Sequence, residues 1–448
     1  MKAVQIITDP THHLHRQELF EALRMPGAQT LELGAWEEPR FLGFGVAITG
    51  SSCYELNRME TEARRAFLRS VYTAEGANLS IGRLSIGASD YSAELYSYDD
   101  VPFDTELTHF SIERDEAYII PMIKEILAIR PDLYLFASPW SPPGWMKTGG
   151  HMCGGYMREE FLDCYAEYVI KFIEAYAAHG IRISALTPQN EPNTQQKGLM
   201  PACVWHPETE ARFIKILRGK LTERGLDVKI WMLDHSFYDV ERVTWSLENC
   251  EGLAESCDGV GFHYYGGSIE QTDVLRRTYP RLELHFTEGG PRLYDHYDTD
   301  WCKWSMMIAK ALRHGYRSFT GWNLMLNEAG GPNIGPYTCG GLVTQHSVTR
   351  ELSESGQLKA FRHIAPYLTP DSRVAPISAD ASFGQPMFGY PKVEREITGV
   401  AIDNRDGRRV LLLVNPNDGK RQTQVCLDGV WWYIELPADS VSTVILEA

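Results

Sequence analysis

Between residues 41 and 365 the chain repeats one pattern eight times: a short apolar, β-branched or aromatic run, then a longer amphipathic stretch. The runs open near Phe41, Leu79, Leu133, Ile183, Val228, Gly259, Leu282 and Ser318. Runs with little polar alternation suit strands covered on both faces, and parallel strands need long crossovers between them. The intervening stretches supply those crossovers. In Glu113–Ile129 apolar residues recur at spacings of three and four until Pro131, and Phe161–Ala178 does the same until Gly180. Pro207–Arg224 opens with proline in its first turn and stops at Gly225. Eight strand-and-helix units predict an α/β fold, a (β/α)8 TIM barrel, with an open doubly wound sheet as the competing arrangement.

Beyond Ala365 the texture changes. Pro366, Pro370, Pro376, Pro386 and Pro391 interrupt any helix. Short β-rich runs follow at Ile397–Asp403, Val410–Asn415, Gln424–Asp428, Trp431–Glu435 and Val441–Leu446, divided by Asn, Asp and Gly turns. They predict an attached antiparallel β-sandwich side domain, to which Val4–Thr8 and Ala28–Leu33 are expected to add strands. The expected division is therefore 1–40 with the side domain, 41–365 as the barrel, and 366–448 as the rest of the side domain.

A formal charge of −16 argues against nucleic acid and against an anionic lipid surface, since both require a basic patch. It leaves neutral ligands open. No run approaches the ~18 apolar residues of a membrane span. The N-terminus shows no apolar signal-peptide core, and nine cysteines without a CxxC pair are expected as reduced thiols. A cytoplasmic location is the expectation.

Two glutamates carry the chemistry. Glu191 closes the apolar run from Ile183, and Glu288 closes the run from Leu284 just before two glycines. A carboxylate at the C-terminal end of a barrel strand is where such folds place catalytic groups. The pair lies 97 residues apart, on strands four and seven, which is three units of about 32 residues. Strands four and seven face one another across the mouth, so both carboxylates are expected in one pocket about 5 Å apart, the spacing of a retaining glycosidase. Like charges that close should leave one group protonated as the acid.

Several motifs in order along the chain resemble glycoside hydrolase family 30 of clan A, the family that includes glucosylceramidase. They are Gly43–Gly50, Arg83–Ser92, Ala137–Thr148, Pro188–Pro192, Phe262–Tyr265, Phe286–Glu288 and Gly321–Asn333. The resemblance implies Glu191 as acid/base and Glu288 as nucleophile. It also implies a sugar site containing Asp90, Trp140, Asn190, His263, Tyr265, Trp322 and Asn323, with Arg83 as a supporting cation beside Glu288. It implies a retaining, exo-acting β-glycosidase on small or oligosaccharide β-glycosides, closest to a β-glucosidase or glucosylceramidase, and no cofactor or metal. β-Xylosidase, β-fucosidase and endo-β-1,6-glucanase activities are the alternatives within the family. A non-catalytic carbohydrate-binding protein is the alternative outside it.

Departures from the family pattern fall at Tyr91, Met200–Ala202, Tyr264 and Ile334–Cys339. All border the expected leaving-group region, so they bear on the aglycone rather than on the hydrolysis. The spaced histidines of Thr11–His15 are read as a mobile terminus, and Trp145 as a core residue or a sugar contact.

Overall fold

Eight parallel strands close into a barrel: β1 (Gly43–Ala47), β2 (Ile81–Ile86), β3 (Tyr134–Pro139), β4 (Ala185–Leu186), β5 (Lys229–Ser236), β6 (Gly259–His263), β7 (Glu283–Glu288) and β8 (Tyr316–Gly321). Each pairs with its neighbours in sequence, and β8 closes on β1. The computed structural model describes residues 2–379 and 396–447, so the expected breaks at Pro386 and Pro391 lie outside the described residues. Helices Glu113–Ile129, Leu162–Ala178 and Pro207–Glu223 stand where the periodicity placed them. Among the described residues no helix is long and apolar enough to cross a membrane.

The inside of the barrel is layered. Ile81, Phe136, Ala185 and Trp231 form an apolar plug at the lower end. Alternate strand residues share a face, so a two-residue step from Ile81, Phe136 and Ala185 along β2, β3 and β4 gives Arg83, Ser138 and Thr187, all buried. The upper layer is thus polar by sequence, directly beneath the C-terminal mouth. Two bulges complete it. Against β6, strand β5 carries an extra residue at Asp234 and β7 one at Thr287. A bulge re-aims the side chain it inserts.

The side module contains ten strands in one hydrogen-bonded series: His12–Leu19, Lys2–Asp9, Ser440–Glu447, Arg409–Asn415, Thr398–Asp403, Arg373–Ala379, Gln29–Leu33, Arg421–Leu427, Val430–Leu436 and Glu21–Ala22. Every pairing is antiparallel except that of Gln29–Leu33 with Arg421–Leu427. Its own core includes Leu31, Ile377, Leu411, Val425, Trp432 and Leu446. It docks on the barrel through helices Trp301–Arg313 and Gly356–Ile364, where Trp301 Nε1 donates to the Asp439 carbonyl at 2.9 Å. The histidine-rich start is not a mobile terminus. His12–Leu19 pairs along Lys2–Asp9 as an edge strand, mostly exposed and therefore without the apolar alternation that marks a strand in sequence.

Candidate active site

The site is built upward from Asp234. Its carboxylate is fully buried, and a buried charge must be paired and hydrogen-bonded. Oδ2 accepts from Arg83 Nη2 at 2.8 Å, Ser138 Oγ at 2.8 Å and Thr187 Oγ1 at 2.7 Å. Oδ1 accepts from Thr287 Oγ1 at 2.6 Å and meets His263 Nε2 at 3.0 Å. Burial opposes the charge, but Arg83 and these hydrogen bonds hold the carboxyl far below its ordinary value. Arg83 then reaches upward: Nη1 donates to Glu288 Oε2 and Nη2 donates to Asn190 Oδ1 at 2.8 Å. Its guanidinium lies under the rings of Trp140 and Trp322, 4.8 and 5.4 Å from their centroids.

Above this floor the two glutamates meet. Carboxylate oxygens of Glu191 and Glu288 and a ring nitrogen of His263 all lie within 4.8 Å of one another. Glu288 Oε1 also accepts the Tyr265 hydroxyl at 2.8 Å. The repulsion expected between the two carboxyls is met by cations, Arg83 against Glu288 and His263 between the pair. Its Nδ1 is 3.4 Å from Glu191 Oε1 and 3.9 Å from Glu288 Oε1. Burial disfavours the imidazolium, yet the Glu288 charge and hydrogen bonds to Asp234 and Glu191 raise His263 to about 9. For Glu191, burial pushes upward, but the bond to His263, the charges of His235 and His263, and the Gln196 amide bring the carboxyl below its usual range. The trio has a metal's ligand count, but Arg83 and the charged His263 already neutralise its carboxylates.

A cavity of about 740 Å³ opens over the pair. Asp90, Trp140, Asn190, Glu191, Tyr265, Glu288 and Trp322 all line it. Trp140 and Trp322 stack on each other at 5.2 Å, and Gly290 permits this packing, since a Cβ there would sit 2.8 Å from Trp322 Cβ. Asp90 Oδ1 is buried without a protein partner, and burial together with the charges of Glu288 and Glu191 drives that carboxyl well above its ordinary value. A neutral Asp90 aimed into the cavity suits a sugar hydroxyl.

Two expected sugar contacts stand elsewhere. His263 and Asn323 are fully buried and outside the cavity lining. His263 works behind the carboxylates, and Asn323 Oδ1 accepts from the Thr49 hydroxyl at 2.9 Å. Trp145 is a core residue whose Nε1 donates to the Asp99 carbonyl at 3.0 Å. Arg83 supports rather than contacts.

Other residues went unread in the sequence. Asp234 and His235 end β5 as Glu191 and Glu288 end their runs, so the same signal was present for Asp234. His235 lines the cavity, with Nδ1 2.5 Å from Asp239 Oδ2 and Nε2 3.9 Å from Glu191 Oε1. Asn193, Thr194, Gln196, Tyr238, Arg292, Tyr294 and Tyr337 form the rim from long loops, where no periodicity marks them. Backbone strain gathers at the same level. Glu191, Leu233, Asp234 and Asn323 have φ of 51, 72, 66 and 62°, a left-handed region that non-glycine residues occupy at a cost of ~1–3 kcal/mol.

A closed parallel barrel with two carboxylates at this spacing defines the class of retaining glycosidases. Residues 41–349 match the glycosyl hydrolase family 30 TIM-barrel domain, and the chain belongs to that family. It is 30% identical over 314 residues to the lysosomal acid glucosylceramidase of Mus musculus, covering 65% of this chain and 61% of that one. The crystal structure of SrfJ from Salmonella typhimurium superposes with a TM-score of 0.89 at 26% identity over 100% of both chains. The endo-beta1,6-glucanase BT3312 does so with a TM-score of 0.85 at 27% identity, again over 100% of both. The protein is a glycoside hydrolase of the retaining kind.

Proposed function

We propose that the chain is an exo-acting β-glucosidase in which Glu288 is the nucleophile and Glu191 the acid/base, and whose leaving group is itself a sugar. The observation that carries the reading is the carboxylate pair with oxygens within 4.8 Å, Glu288 bound to the buried Arg83. Arg83 and Tyr265, both hydrogen-bonded to Glu288, hold its carboxylate aimed for attack on the anomeric carbon. Glu191 protonates the departing oxygen, and it later takes the proton of the water that frees the sugar with its β configuration retained. Asp90 and Asn190 supply polar contacts to the bound ring, over the indoles of Trp140 and Trp322.

The rim supports a hydrophilic leaving group over a ceramide. Asn193, Thr194, Gln196, His235, Asp239 and Arg292 make its walls polar, and Tyr238, Tyr294 and Tyr337 offer rings with hydroxyl edges. A second reading, internal cleavage of β-1,6-glucan, is favoured by the full-length likeness to the endo-beta1,6-glucanase BT3312. Product analysis on β-1,6-linked glucose oligomers separates the two. Exo action releases glucose and the oligomer shortened by one unit from the first time point, whereas early products shortened by two or more units overturn it in favour of internal cleavage. No turnover on these oligomers, with turnover on glucosylceramide, rejects the sugar leaving group.

A further inference from the structure

Gln196 stands on the short turn Gln196–Gly198 in the loop after Glu191, with its backbone in the left-handed region at φ 46°. Its side chain joins two walls of the cavity. The amide Nε2 donates to Glu191 Oε2, and the amide Oε1 accepts the Tyr337 hydroxyl at 2.7 Å. Tyr337 is anchored in turn through its carbonyl, which accepts from the Tyr91 hydroxyl at 3.1 Å and from Asn333 Nδ2.

The remaining groups facing Glu191 come from other strands. His263 Nδ1 is 3.4 Å and His235 Nε2 3.9 Å from Oε1, and His235 is held by Asp239 at 2.5 Å. Glu288, Asp90 and the Tyr238 hydroxyl complete the titratable neighbours. An imidazolium offers only donors, so it cannot accept the O–H of a protonated Glu191. A carboxamide carries a donor end and an acceptor end. Half a turn of the Gln196 amide about its last side-chain bond presents its oxygen to a protonated Glu191 and its NH2 to the Tyr337 oxygen. A hydroxyl serves equally as donor or acceptor. The three groups are then satisfied whether or not Glu191 holds a proton.

We propose that Gln196, braced by Tyr337, is the positioning residue that keeps Glu191 in one place through both of its protonation states. The inference rests on Glu191 being the acid/base, the group that must give a proton in the first step and take one in the second.

The test compares Gln196→Leu and Tyr337→Phe with the parent enzyme on aryl β-glucosides of good and poor leaving groups across pH. Glu191→Ala with added azide runs in parallel. Losing a hydrogen bond to a charged group should cut kcat/KM on the poor leaving group and kcat on the good one by roughly tenfold or more in Gln196→Leu. The pH limb belonging to Glu191 should move, with the melting temperature unchanged. Tyr337→Phe should show the same pattern more weakly; because it changes a half-exposed side chain, it decides the matter if Gln196→Leu folds poorly. Parent-like pH profiles and leaving-group dependence in both variants, with azide still rescuing Glu191→Ala, overturn this inference alone. If azide fails to rescue Glu191→Ala, the acid/base reading falls and the inference falls with it.

Discussion

At the floor of the cavity Asp234 takes contacts from Arg83, Ser138, Thr187, His263 and Thr287, drawn from five different parts of the barrel wall. At the rim, Tyr294 is 72% exposed on a loop and Tyr238 is 50% exposed on the short 3-10 turn Phe237–Asp239. The floor is over-determined: every charge has partners, and each partner sits on a strand or at its end. The rim is made from the loops that follow β4, β5, β7 and β8, where changes of sequence cost little stability. Apart from the Gln196–Tyr337 bridge to Glu191, chemistry is held by strands and their ends and specificity by loops, the division of labour that a barrel permits.

Four substitutions or titrations can break or sharpen this contrast. Glu288→Gln should lower kcat by several orders of magnitude with the melting temperature nearly unchanged, as steady-state assay and calorimetry would read. A variant with near-normal turnover would move the nucleophile elsewhere. Arg83→Met leaves the buried Asp234 and Glu288 with His263 as their one remaining counter-charge, which should destabilise the fold by about 3–5 kcal/mol in urea unfolding. A small loss would mean that the floor is less interdependent than its hydrogen bonds imply.

The third is pH. His263 is raised from 6.5 to about 9 in the folded chain, so its contribution is complete below pH 6.5 and is lost as pH rises through 9. Unfolding free energy should therefore drop by up to about 3 kcal/mol between pH 6 and pH 10, and His263→Gln should flatten that slope. Asp234 acts in the opposite window: its carboxyl is depressed, so its contribution is present above its unfolded value and is lost in strong acid. The smallest effect is expected at the rim. Tyr294→Ala should raise KM for a glucose oligomer by roughly tenfold, with kcat on an aryl glucoside unchanged, because only ring stacking is lost. A fall in kcat there would erase the distinction between floor and rim.

The eight barrel strands were legible because each is a short apolar run buried on both faces. Glu191 and Glu288 were legible because acids at strand ends have few structural uses. Asp234 carried the same mark yet went unread, since its inward aim depends on a bulge at β5 that no spacing announces. His263 and Asn323 were placed at the sugar by resemblance, while their side chains belong to the layer behind it. The rim was the least legible part. Gln196 and Tyr337 are 141 residues apart and meet only because the barrel closes. Strand His12–Leu19 was hidden for another reason: an exposed edge strand has no buried face to impose alternation.

The most direct test of the central claim is to trap the covalent intermediate. A 2-deoxy-2-fluoro-β-glucosyl fluoride slows both steps and should leave one sugar on each chain. Peptide mass spectrometry should place it on Glu288, and Glu288→Gln should abolish it. A label on any other side chain, or an α-anomer as the first product from a β-glucoside, would contradict the account.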